Sequence, residues 1–258
     1  MNNDADDVKN VKNVDMSKRT LIRMSAGLLA GTAVAASPSV ADVFADTRKM
    51  KVLLLNGSPN EKGCTHAGLL ELAETLQKEG CDTEIFHIGK QPISGCVACY
   101  GCRETNPGRC VISDQVNTFL EAAEKADGFI FGTPVHFAAA GGAITSFMDR
   151  LFFSAGNDVF YLKPAAAVVS ARRSGTTSAF DQLNKYFTIR EMPVISSTYW
   201  NMIHGRKPED VKRDEEGLQT LRTLARNMAW FLRCKAAGAN AGVALPQREK
   251  PLRTDFIR

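Results

Sequence analysis

The sequence predicts an α/β fold, a parallel sheet with helices on both faces. Two observations carry this. From Lys51 onward, short apolar runs alternate with stretches whose apolar residues recur at helical spacing, the pattern of strand–helix–strand units. With 258 residues, 44% hydrophobic and 23% charged, the chain has an ordinary globular composition and room for one domain with a sizeable core.

In chain order, the first 45 residues read as an export signal. SKRTLIR (17–23) precedes an apolar run, MSAGLLAGTAVAA (24–36), and small residues near Ala45 offer a cleavage site,. The basic pair is similar to a twin-arginine signal, with Lys18 in the place of the first arginine,. The apolar run is too short for a membrane span, and no other window approaches one. The expected division is 1–45 signal, 46–235 folded domain and 236–258 a tail packing on that domain or on a partner subunit.

Within the domain, KVLLLN is a buried strand that breaks at Asn56-Gly57-Ser58-Pro59,. Leu69, Leu70, Ala73 and Leu76 mark the helix behind it, and DTEIFHI is the second strand. GFIFG is the third, ending at Gly132, and Ile144, Phe147, Met148, Leu151 and Phe152 stripe the next helix. PAAAVVSA is a fourth strand and MPVIS a short fifth, and Leu218, Leu221, Leu224, Ala225, Met228 and Leu232 stripe a final helix. Cys81 and Cys234 are expected to pack as small apolar residues.

In such sheets ligands bind beyond the carboxyl ends of the strands. The loop after the first strand, NGSPNEKGCTHAG, combines glycines with Ser58, Thr65 and a helix start, which suits a monophosphate. It lacks GxxxxGK[ST] and GxGxxG, so neither a triphosphate loop nor a dinucleotide fingerprint is present,. No serine–histidine–acid set has supporting motifs, which argues against a hydrolase. The net charge of +4 forms no basic stripe with interleaved aromatics, so no nucleic-acid partner is expected.

Taken together, the loops resemble the NADPH-dependent FMN reductase family. The residues that carry this are Gly57-Ser58-Pro59, Gly132-Thr133-Pro134-Val135-His136-Phe137, Phe147-Met148-Asp149-Arg150, STYWNM (197–202) and the closing LRTDFIR. The resemblance implies a flavodoxin-like three-layer sandwich with five parallel strands ordered 2-1-3-4-5. It also implies FMN as cofactor, with NAD(P)H as an electron donor. By the same resemblance, Ser58, Asn60, Cys64 and Thr65 would cradle the FMN phosphate. Thr133, Pro134, Val135, His136 and Phe137 would run along the flavin ring, and Arg172 would meet its pyrimidine side. No protein side chain is expected to be catalytic, because the flavin carries the redox step. Tyr199 and Trp200 would shield the flavin, meet a partner subunit or pack in the core.

Four of the seven cysteines, Cys96, Cys99, Cys102 and Cys110, fall in one window spaced CxxCxxC and then seven residues to the fourth. Closely spaced thiolates on a tight loop suit a [4Fe–4S] cluster, and the pattern is similar to that of the iron–sulfur flavoprotein branch of the family. Zinc on four thiolates and a disulfide such as Cys102–Cys110 in an oxidising compartment stand as alternatives. The leading expectation is an exported, periplasmic FMN oxidoreductase that passes electrons to a small acceptor such as a quinone, as a homo-oligomer (dimer or tetramer). The alternative is an electron carrier that serves a redox partner protein.

Overall fold

The computed structural model describes residues 49–256; the predicted export segment, 1–45, lies outside them. The first half of the domain comprises β1 (Lys51–Asn56), α1 (Cys64–Lys78), β2 (Asp82–His87), α2 (Gly101–Glu104), α3 (Gln115–Glu124), β3 (Gly128–His136) and β4 (Ala139–Ala140). The second half comprises α4 (Gly142–Ser154), β5 (Ala165–Ala171), α5 (Thr176–Ile189), β6 (Met202–His204), α6 (Pro208–Val211) and α7 (Glu215–Asn240). The sheet runs β2-β1-β3-β5-β6 in parallel, and β4 pairs antiparallel with the end of β3.

The side-chain period of two sorts each central strand between two cores. Leu53 and Leu55 of β1, Phe129 and Phe131 of β3, and Ala165, Ala167 and Val169 of β5 point to one face, with residues of α3, α4 and α5. Val52 and Leu54, Ile130, and Ala166 and Val168 point to the other, beneath α1 and α7. The first core is rich in aromatic edges: Phe119 meets Phe86 at 5.3 Å and Phe147 at 5.5 Å between centroids. Each such ring removed from water contributes about 1.5–3 kcal/mol. This is a flavodoxin-like three-layer α/β sandwich.

Five details differ from the sequence-based expectation. The third strand does not stop at Gly132 but continues to His136, because its end is held by the short β4 across a two-residue hairpin. The fifth strand is not MPVIS. Val194 makes a single rung with Ala165, and regular pairing resumes only at Met202–His204. Between the two rungs the Asn201 side chain donates to Ala167 O at 3.1 Å, and Asn201 O accepts from Val169 N at 2.9 Å. An amide side chain thus fills the gap in the ladder.

On α1 the buried face runs Leu69, Leu72, Ala73 and Leu76, and Leu70 is exposed. Cys234 is exposed rather than packed: it lies two positions, about 200° of helical turn, beyond buried Leu232. Helix α7 continues to Asn240, past the expected boundary at 235. Beyond it the chain returns along the domain, where Arg248 lies 3.5 Å over the Tyr161 ring and pairs with Glu191 at 3.0 Å. Among the described residues, no helix is long and apolar enough to cross a membrane.

Candidate functional site: a cleft at the strand ends and a four-cysteine cavity

A cleft of about 930 Å³ opens at the carboxyl ends of the parallel strands, where this fold class binds its ligands. Asn56, the last residue of β1, is fully buried and shapes the loop that floors it. Its Oδ1 accepts from Ser58 N at 3.1 Å, and its Nδ2 donates to Glu61 O at 3.0 Å. Ser58 Oγ accepts from Asn60 N, and His87 Nε2–H donates to Ser58 O at 2.8 Å. Gly57 N donates to Gly132 O at 2.8 Å, which fastens the loop to β3. The sequence reading missed Asn56; its signal was a polar residue closing an apolar run just before a glycine.

The loop delivers the chain to α1 with Gly63 as N-cap in extended conformation and with no side chain capping it. The first N–H groups of this 15-residue helix therefore have no intrahelical acceptor,. Gly63, Cys64 and Thr65 line the cleft, so these donors and the positive end of the helix dipole lie at its wall. Thr65 Oγ1 shares a 2.7 Å hydrogen bond with Ser170 Oγ of β5, tying the helix start to a second strand end. Cys64 Sγ–H donates to Gly205 O at 3.5 Å. Burial, followed by the nearby Asp210 carboxylate, pushes this thiol above its usual range. It stays neutral at physiological pH and adds no negative charge beside an anion.

Five cations line the cleft: Lys62, Lys90, Arg172, Arg206 and Lys207. Pro134 and Val135 supply an apolar stretch of wall. Of the residues expected from sequence, Ser58, Asn60, Cys64, Thr65, Pro134, Val135 and Arg172 line this one cleft, and Thr133, His136 and Phe137 do not. Thr133 is fully buried, its hydroxyl donating to Pro134 O and accepting from Gly141 N, so its side chain shapes the end of β3. Phe137 and Ala138 form the hairpin tip with φ of 49° and 60°, left-handed values that non-glycine residues seldom adopt,. The Phe137 ring is fully exposed. The tip rests on Gly175, where a Cβ would stand 2.7 Å from Ala138 Cα. The basic residues after β6 were missed because that strand was not recognised.

The donor set fits FMN. An uncapped helix start and hydroxyl groups suit its phosphate, the apolar wall suits its ring, and the volume lies within the range of small-molecule sites, about 300–1,000 Å³.

The second feature is the cysteine window. Cys96, Cys99, Cys102 and Cys110 all line one small, mainly apolar cavity, together with Arg150 and Phe153. Cys96 and Cys99 are exposed, Cys110 is half-buried and Cys102 is buried. Ala98 and Tyr100, on either side of Cys99, have φ of 51° and 58°; strained backbone of this kind concentrates at functional loops. Arg150 is wholly buried, with its Nε donating to Cys110 Sγ at 3.3 Å. Among the described residues, no three His, Cys, Asp or Glu side chains converge tightly enough for a single metal ion. Four cysteines around one cavity offer a ligand set for zinc or for an iron–sulfur cluster,. Soft thiol donors in an apolar pocket beside a buried cation therefore fit an iron–sulfur cluster.

The chain is 31% identical to an iron–sulfur flavoprotein of Methanocaldococcus jannaschii over 190 residues, covering 70% of this chain and 96% of that one. It is 30% identical to an iron–sulfur flavoprotein of Archaeoglobus fulgidus over 193 residues, covering 69% and 94%. Among solved structures, a flavodoxin, WrbA-like protein from Agrobacterium tumefaciens superposes with a TM-score of 0.50 at 15% identity, covering 72% of this chain and 99% of that one. Residues 50–207 match the NADPH-dependent FMN reductase family: the chain belongs to that family and is a flavin-dependent oxidoreductase.

Proposed function

We propose that the protein is an exported FMN enzyme that takes electrons from NAD(P)H or a donor protein and passes them to a small acceptor such as a quinone. A [4Fe–4S] cluster on Cys96, Cys99, Cys102 and Cys110 would relay electrons to the FMN. The observation that carries the flavin reading is the cleft itself, with an uncapped helix start and an apolar wall at the strand ends. Relatives that bear the name iron–sulfur flavoprotein support the cluster.

FMN, when bound, supplies the hydride and single-electron chemistry; the protein binds, orients and shields it. The start of α1, with Ser58, Asn60 and Thr65, holds the phosphate. Pro134 and Val135 exclude water along one side of the ring. Arg172 and the neighbouring basic residues balance the cofactor's negative charge. Export rests on the order of basic, apolar and small residues in 1–45,. A homo-oligomer, dimer or tetramer, is part of the same reading.

Protein purified without oxygen and analysed for flavin, iron and acid-labile sulfide tests the cofactors. One FMN per chain with iron and sulfide is expected, and FMN alone would remove the cluster. Export predicts an N-terminus near Asp46 outside the cytoplasm, and its loss when Lys18 and Arg19 are both changed to glutamine. Full-length chain in the cytosol of wild-type cells would end that part of the reading.

A second reading, an electron carrier without a dedicated small substrate, is favoured by the exposure of Cys96 and Cys99, which leaves one side of the cysteine cavity open to a protein partner. Steady-state turnover with NADH or NADPH supports the enzyme; reduction only by a donor protein supports the carrier.

A further inference from the structure

The cysteine window is held unevenly. The backbone of Cys110 is clamped at both polar atoms by one side chain: its N–H donates to Asn117 Oδ1 at 2.9 Å, and its carbonyl accepts from Asn117 Nδ2 at 2.8 Å. Its sulfur accepts from Arg150 Nε at 3.3 Å. Cys96 and Cys99, by contrast, are exposed on the loop with the two left-handed residues.

Arg150 does not need that sulfur to be paired. Its Nη1 and Nη2 grip the two oxygens of Asp114 at 2.6 and 2.8 Å, and Nη2 also donates to Ile112 O at 2.9 Å. Burial alone would depress a guanidinium, and the bonds to Asp114 and Cys110 more than offset this. Asp114 lies on the far side of the fork, is 30% exposed, and gives part of its charge to Val116 N as the N-cap of α3. The sulfur therefore faces the side of a desiccated cation that its partner neutralises least.

We propose that Arg150 is a positioning residue that fixes Cys110 as the anchor ligand of the window and raises the reduction potential of the cluster through an N–H···S hydrogen bond. The inference rests on the four-cysteine reading given above. Reduction adds one electron to the cluster, with no bond made or broken. The added negative charge is stabilised by a cation that water does not screen, and hydrogen bonds to ligand sulfurs are a recognised lever on such potentials. Without this bond the oxidised form gains relative to the reduced one.

The test uses the anaerobically purified, iron-loaded protein, titrated with dithionite and followed by electron paramagnetic resonance. Arg150→Lys keeps the charge and a pairing to Asp114 but loses the fork. Its ratio of reduced to oxidised cluster at fixed ambient potential should fall about tenfold, the scale of one hydrogen bond to a charged group, or about 59 mV for a one-electron couple. The double change Arg150→Gln with Asp114→Asn leaves no unpaired, half-buried carboxylate and should shift the same way. Failure of either variant to retain iron, while it keeps native melting and full FMN, also supports the role, because Asn117 still clamps the backbone.

A measurement on the wild type needs no variant to fold: with arginine labelled by ¹⁵N, the reduced cluster should show a hyperfine coupling to that nitrogen. Loaded variants with the wild-type potential, or a labelled wild type without the coupling, overturn the proposal and leave the cluster standing. A wild type without iron and sulfide overturns both.

Discussion

Gly57→Ala tests how the loop after β1 is fastened. A Cβ at this position would lie 2.5 Å from Ile144 Cδ1, 2.8 Å from Ile144 Cβ and 2.7 Å from Gly132 O. The methyl end of Ile144 can rotate away, but its Cβ and the Gly132 carbonyl belong to α4 and β3 and cannot. The loop must therefore lift, stretching the 2.8 Å bond from Gly57 N to Gly132 O. Overpacking costs about 1–3 kcal/mol, and a lost hydrogen bond adds about 0.5–1.5 kcal/mol, so the total is about 1.5–4.5 kcal/mol. For a domain of this size each kcal/mol lowers the melting temperature by about 2–4 °C, which gives a drop of about 3–18 °C. Scanning calorimetry of the apoprotein reads the first effect, and FMN titration by fluorescence reads the second, a weaker affinity as Ser58 and Asn60 move. Gly142→Ala is the control, since a Cβ there meets nothing within 4 Å, and helix propensity makes it neutral or mildly stabilising. A Gly57→Ala protein that melts within a degree of wild type and binds FMN equally well would refute the reasoning.

Thr65→Asp should reduce FMN affinity several-fold or more, by setting a carboxylate against the phosphate at a residue 1% exposed,; unchanged flavin content would refute the assignment. Tyr186 donates to Asp149 at 2.5 Å, and burial, then that carboxylate, raises the phenol above its ordinary value. The folded chain then holds the proton more tightly than the unfolded one. The stability advantage over Tyr186→Phe is complete below about pH 10 and falls as pH rises beyond it, which urea midpoints across that range will show. In iron-free native protein, exposed Cys96, Cys99 and Cys234 should alkylate before buried Cys81 and Cys102. With iron bound, Cys96 and Cys99 should be protected while Cys234 still reacts, as mass spectrometry of the labelled peptides will report.

The sequence exposed its central strands because they are buried on both faces, so KVLLL and AAAVV read as continuous apolar runs between turn signals. The sheet edge was less legible. Met192–Ser196 has the apolar character of a strand, yet Val194 makes only one rung, and the regular pairing lies at Met202–His204 behind a polar loop. The ladder gap filled by the Asn201 side chain depends on where β5 stands, which no local pattern encodes. The error carried into the site. Without β6 there was no reason to place Arg206 and Lys207 at a strand end; with Lys62 and Lys90 also unassigned, four of the five cations of the cleft were missed. Ser58, Asn60 and Thr65, by contrast, follow a strand that was plain, and the structure lays them along the cleft wall.

One helix connects the two features of this chain. Ile144, in the first turn of α4, packs against Gly57 beneath the loop after β1, and Arg150 of the same helix donates to Cys110. Six residues separate them, about 9 Å of helical rise. The start of α4 is fixed to the flavin-side loop as well, since Gly141 N, its N-cap, donates to Thr133 Oγ1 and to Pro134 O. The isoleucine beneath the loop after β1 and the guanidinium that holds a cysteine are thus carried on a single rigid element with Phe147, Met148 and Leu151 buried along its length. The buried stripe explains why the helix was easy to find in the sequence. Arg150 entered there only as part of the Phe147–Arg150 motif, because its partners, Asp114 and Cys110, are distant in sequence and no local pattern shows them. Only its full burial, with Asp114 on one side and Cys110 on the other, marks it as part of the cysteine site.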